Sequence, residues 1–131
     1  MTDMGYDMDQ VNAKFAIKRE DFTAVVKTVQ KKLRGDYMWV GVDALSDVEN
    51  IGELFRVWRY EVEQDGSEGD ISDINFIGEK LGDDLLFFRA IAPYVKKGSF
   101  IEMSGPDGDR WKWAFDGKKC KEKKGRVVYK R

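Results

Sequence analysis

The stretch Trp111-Lys112-Trp113-Ala114-Phe115 sets the strictest limit on how this chain can fold. Its large rings recur at every second residue, the period of a strand with one buried face and one wet face. A one-residue slip would expose both indoles and bury Lys112, so the strand tolerates a single register. Trp111, Trp113 and Phe115 are expected inside, Arg110, Lys112 and Ala114 outside. A different period lies upstream. Phe22, Val25, Val26, Val29 and Leu33 fall at helical spacing behind Asp21 as N-cap, with Lys27, Lys31 and Lys32 on the wet side and Gly35 closing the helix. A chain with both periods needs a sheet and a helix packed on each other.

The remaining segments fill in between. Residues 12–18 alternate around Phe15 and Ile17 and read as a strand, and residues 37–42 form a short aromatic, β-branched run expected as a buried strand. Ser46-Asp47-Val48-Glu49 has the form of a capping box, opening a helix with Ile51, Leu54, Phe55, Trp58 and Val62 on its apolar face. A polar loop at 64–70 precedes a strand at 71–77 with Ile74 and Phe76 inward. Asp83 then caps a third helix, which Pro93 is expected to break. Strands follow at 99–104, 110–115 and around 126–130. Pro106-Asp107-Gly108-Asp109 and Asp116-Gly117 mark hairpin turns, the second of type I′. The order β-α-β-α-β-α-β-β-β predicts one α+β domain over residues 1–131, with a mixed, mainly antiparallel sheet, helices on one face, and residues 1–11 as a flexible lead.

Composition narrows the chemistry. The 131 residues contain no histidine, which removes the imidazole base, the Ser-His-Asp and Cys-His nucleophiles and any histidine-ligated metal. One cysteine allows neither an internal disulfide nor a thiolate zinc cage. Cys120, between Lys119 and Lys121, reads as an incidental thiol on a surface strand; the alternative is a reactive one with a depressed pKa. The acidic start Met1-Thr2-Asp3-Met4-Gly5-Tyr6-Asp7 has no apolar h-region, and no apolar run approaches the ~18 residues of a membrane span. A cytoplasmic protein is expected, an autonomously folding monomer or weak dimer without metal or cofactor.

Charge is unevenly placed. Arg110, Lys112, Lys118, Lys119, Lys121, Lys123, Lys124, Arg126, Lys130 and Arg131 face only Asp116 and Glu122 in residues 110–131, a net of +8. Residues 1–109 carry 13 bases and 22 acids, a net of −9. Arg110, Lys112, Lys118, Lys119, Lys121, Lys123, Lys124 and Arg126 are the candidate interaction surface, with residues 118–124 expected as a mobile, lysine-rich arm.

Gly78-Glu79-Lys80-Leu81-Gly82-Asp83-Asp84, Ile91-Ala92-Pro93-Tyr94-Val95, Gly98-Ser99-Phe100-Ile101-Glu102-Met103 and Trp111-Lys112-Trp113 resemble a pattern in small uncharacterised bacterial and phage-borne proteins. The resemblance covers roughly the C-terminal half. It implies a source and no activity.

Other motifs fail on inspection. Gly78–Asp84 lacks the Gly-Lys-Ser/Thr of a phosphate loop and sets two carboxylates where a phosphate would sit, so helix capping explains them better. Setting Gly66 as the glycine of a calcium loop puts Ser72 where a bidentate glutamate is required. Asp73, Glu79 and Glu102 are acids that a hydrolase could pair, but no spacing selects a pair. Without a reaction-specific motif, the expectation is a non-catalytic protein-interaction module, of the kind phages or mobile elements encode as inhibitors or immunity proteins. The alternatives are nucleic-acid binding through the basic segment, with Trp111, Trp113 and Tyr129 as stacking rings, and a small-ligand site lined by aromatics.

Overall fold

The computed structural model of the chain describes residues 6–126. Tyr129 and the strand expected around 126–130 lie outside them beyond Arg126. The described part of the expected lead, residues 6–11, contributes β1 (Tyr6–Asp7) and the start of β2 (Asp9–Lys14). Then come α1 (Phe22–Lys32), α2 (Val42–Ser46), α3 (Ile51–Val57), β3 (Tyr60–Gln64), β4 (Ile71–Phe76) and β5 (Lys80–Leu81). The chain continues as α4 (Asp84–Ile91), β6 (Phe100–Ser104), β7 (Asp109–Phe115) and β8 (Cys120–Arg126). The fold is α+β. Every described strand pair is antiparallel, in a four-stranded sheet of order β2-β6-β7-β8, a β3-β4 hairpin and a small β1-β5 pair.

The two periods of the sequence meet in the core. Trp113 and Phe115 of β7 are buried against Phe88 of α4, at 5.2 and 5.9 Å between ring centroids. Phe15 joins the cluster edge-on to Phe55, Phe88 and Phe115. Val25, Val26, Val29 and Leu33 are all buried, as the α1 stripe requires. Rings of this size supply most of the apolar area that a small domain removes from water.

Several elements differ from expectation. Residues 37–42 form a turn leading into α2, not a buried strand: Tyr37 bridges Val40, Trp39 takes φ +68, and Met38 and Trp39 stay 52% and 43% exposed. Asn50, not Ser46, caps α3; its side chain accepts the Glu53 N–H, while Glu53 accepts the Glu49 N–H. Gly35 is not needed in the left-handed region because α1 already ends at Leu33. β4 buries Ile71 and Ile74, leaving Phe76 half-buried. Asp83 makes no cap bond to α4 and instead accepts the Met38 N–H at 2.9 Å. α4 does end where Pro93 was expected to break it, in a 3-10 turn over Ala92–Tyr94.

The largest revision is at the C-terminal end of the described residues. The lysine-rich stretch is no mobile arm: it is β8, paired with β7 from Asp109↔Arg126 to Phe115↔Cys120. The turn before it has positive φ at Gly117 alone of its two central residues, the signature of type II′ rather than I′. Cys120 is not on the surface. It is buried on the core side of β8, and burial pushes its thiol up to about 12, with the nearby Arg89 opposing. Among the described residues no helix is long and apolar enough to cross a membrane.

Candidate functional site

Antiparallel register assigns each side chain of the four-stranded sheet to one of two faces. Ile101, Met103, Trp111, Trp113 and Phe115 are buried on the face that α4 covers. The opposite face carries Asp9, Asn12 and Lys14 from β2, Phe100, Glu102 and Ser104 from β6, Arg110, Lys112 and Ala114 from β7, and Lys121 and Lys123 from β8. A shallow groove of about 390 Å³ crosses it, lined only by residues of the 98–125 region.

The electrostatics of this outer face are uneven. Arg110 is satisfied by Glu102, with Nη1 to Oε2 at 3.3 Å. Lys112 stands directly between Glu102 and Lys123 but lays its Nζ over the Phe100 ring, 4.7 Å from the centroid. Lys112 and Lys123 thus oppose each other as like charges across β7 and β8. Neither Lys14, Lys121 nor Lys123 has an ion-pair partner within 4 Å among the described residues.

Of the eight candidate residues, the fold brings Arg110, Lys112, Lys121 and Lys123 onto this face. Lys118 and Lys119 sit at the tight turn, where their N–H groups bond Asp116 Oδ1 at 2.9 and 2.7 Å. Those two bonds, with the neighbouring lysines, hold the Asp116 carboxyl below its ordinary value. Lys124 projects toward the other face, opposite Trp111, and Arg126 ends the ladder opposite Asp109. Sequence reasoning missed Lys14 and Phe100. Both belong here only because β2 pairs with β6, a long-range fact with no local signal.

Of the rings offered for stacking, the two described ones are absent from the face: Trp111 and Trp113 are buried, and Trp113 Nε1 donates to Glu122 at 2.9 Å, while Tyr129 lies outside the described residues. The cleft near the β2–α1 connection, about 720 Å³, mixes Lys18, Lys96 and Lys97 with Asp21, Asp65 and Asp70. Its buried polar side chain, Ser99, already accepts the Ala16 N–H. No group of three potential metal ligands occurs among the described residues.

A buried ion pair lies at the start of α4. Asp84, almost fully enclosed, meets Arg59 Nη2, the Tyr60 hydroxyl and the Gly82 N–H, each at 2.8 Å. Burial raises the Asp84 carboxyl above its ordinary value, opposed chiefly by the Arg59 guanidinium, and burial raises Tyr60 as well. Arg59 itself is held at φ +75 and also donates to the Lys80 carbonyl. This cluster pins β3 to the start of α4 and faces the core, so it belongs to the scaffold. Comparison with family models, curated proteins and solved structures finds no match to this chain.

Proposed function

We propose that this chain is a non-catalytic protein-interaction module that docks an acidic partner on the outer face of its four-stranded sheet. One observation carries the reading: Lys112 and Lys123 oppose each other in register, with Lys121 two residues along β8 on the same face and Lys14 on β2 beyond β6. None of Lys14, Lys121 and Lys123 is in an ion pair among the described residues. Like charges directly opposite are destabilising, and a partner's carboxylates would relieve that repulsion. Lysines on an edge strand also discourage edge-to-edge aggregation, which accounts for Lys121 and Lys123. The same role accounts for Lys14 on β2, the other edge, but not for Lys112 on the inner strand β7.

Nucleic acid is the competing occupant, since lysines follow phosphates equally well. It loses support because the indoles that would stack bases are in the core, leaving Phe100 beneath Lys112. Fluorescence anisotropy with labelled poly-glutamate and with a labelled single-stranded oligonucleotide, each from low to physiological salt, separates the two. The expected result is salt-dependent poly-glutamate binding that Lys121→Glu/Lys123→Glu, which sets a carboxylate against Lys112, abolishes without lowering the melting temperature. Tighter binding of the oligonucleotide, or poly-glutamate binding indifferent to the double variant, would overturn the reading.

A further inference from the structure

Docking on this face leaves open how a partner is held, and the edge of the sheet answers it. The turn fixes the hydrogen-bonding phase of the last ladder: Asp116 N–H donates to the Lys119 carbonyl, so residues 116 and 119 are a bonded pair. Bonded and non-bonded pairs alternate along an antiparallel ladder. The pairs 114/121 and 112/123 are therefore bonded, and the pairs 113/122 and 111/124 are not. The same phase emerges on the other side of β7, where Phe115 N–H donates to the Ser99 carbonyl. It follows that Glu122 and Lys124 direct their backbone N–H and C=O groups away from β7. No strand pairs with them among the described residues.

We infer that β8 accepts an added strand, and that its occupant is an extended acidic segment of a partner protein with acidic and apolar residues alternating. The inference rests on the reading proposed above and supplies its binding mode. Main-chain bonds to Glu122 and Lys124 hold such a strand, and its alternate side chains choose it. Residues opposite Lys121 and Lys123 lie on the outer face, where the unpaired ammonium groups select carboxylates. Residues opposite Glu122 and Lys124 point to the other side, where a cleft of about 370 Å³ presents Tyr6, Leu81 and Trp111 within a rim of Asp109, Arg110 and those two side chains. That side selects apolar residues. A second copy of the chain fits poorly, because antiparallel β8–β8 pairing would set lysines against lysines.

The test uses the full chain and capped eight-residue peptides alternating Glu and Val. Three are compared by anisotropy: unmodified, N-methylated at the Val nitrogens, and N-methylated at the Glu nitrogens. In an antiparallel addition the residues bonded to β8 are those opposite Glu122 and Lys124, the Val positions. Methylation there is expected to weaken binding at least about tenfold, while methylation at Glu leaves it within about twofold. Lys121→Glu/Lys123→Glu is expected to abolish binding of the unmodified peptide without lowering the melting temperature. Equal affinity for both methylated peptides would overturn strand addition and leave docking on the face intact. A poly-glutamate titration that binds while no alternating peptide does would also overturn strand addition alone. Failure of both polyanions would remove the two readings together.

Discussion

Two antiparallel ladders in this molecule set like charges directly opposite each other. In the β3–β4 hairpin Glu63 faces Asp73, and in the large sheet Lys112 faces Lys123. Both hairpin carboxylates are exposed, and Asp73 also accepts the N–H of Ile74, so water and a local bond relieve the repulsion. Lys112 is half-buried and held over Phe100, in a medium that screens less. The same cross-strand pattern is thus nearly free in a two-stranded ribbon and unfavourable in the middle of a sheet. What forces the second case is the other face of β7: its indoles cannot leave the core, so Lys112 cannot change its neighbour.

The strongest way to break that contrast is to remove what fixes the register. Trp113→Ala is expected to cost about 3–5 kcal/mol in urea unfolding, since the ring is fully buried against Phe88. A loss below 1 kcal/mol would show that the indole does not hold β7 in place. The hairpin has its own anchor in Tyr60 and Asp84. Asp84→Asn is expected to cost about 1–3 kcal/mol by disturbing the bonds that the carboxyl accepts from Arg59, the Tyr60 hydroxyl and the Gly82 N–H.

That anchor also has a pH signature. The folded-state value of Asp84 lies above the unfolded one, so between the two the native state holds the extra proton. Its contribution is greatest below the unfolded value and falls as pH rises through the folded one. The margin in melting temperature of wild type over Asp84→Asn should therefore narrow upward from about pH 4. A margin that widens would reverse the assignment.

Smaller changes sharpen the comparison itself. Lys123→Glu turns the repulsive pair in the sheet into an attractive one and is expected to gain about 0.2–1 kcal/mol. Glu63→Lys does the same in the hairpin and should gain less, because both partners are solvated. Equal gains would mean that the two ladders do not differ. Least of all in energy, the Cys120 thiol should react with a disulfide reagent at pH 8 only as fast as the chain unfolds. Immediate labelling would place it outside the core.

Legibility followed the strength of the local pattern. The 111–115 alternation and the 22–33 stripe each repeat one period over several turns, and both survive in the fold. The run at 37–42 is apolar without alternating, so nothing in it specifies a partner strand, and it becomes an exposed turn. Ser46 and Asn50 both offer an N-cap with an acid three residues on; the helix starts at the second, beside the buried Ile51 and Leu54. The lysines of 118–124 looked too charged for order, yet every second one needs burial on neither side of an edge strand. For the candidate site, the β7 and β8 cations were visible as composition. Their shared face and the arrival of Lys14 depend on strand order, which no short window encodes.

One residue of β2 matters by its presence more than by its chemistry. Gln10 pairs with Met103 and Asn12 with Glu102, so Val11 is a bulge with no partner of its own, its side chain exposed. Deleting it would leave every other pairing in register. What would go is the local bend, and with it the aim of Gln10, whose amide accepts the Phe76 N–H and donates to the Ile74 carbonyl like a stray piece of backbone. That amide stitches the basic sheet to one end of the acidic hairpin, and the backbone bridge between Ile17 and Ile71 holds the other. Deletion, rather than substitution, at Val11 is therefore the change that would release the Gln10 end of the joint between the two charged halves of this molecule.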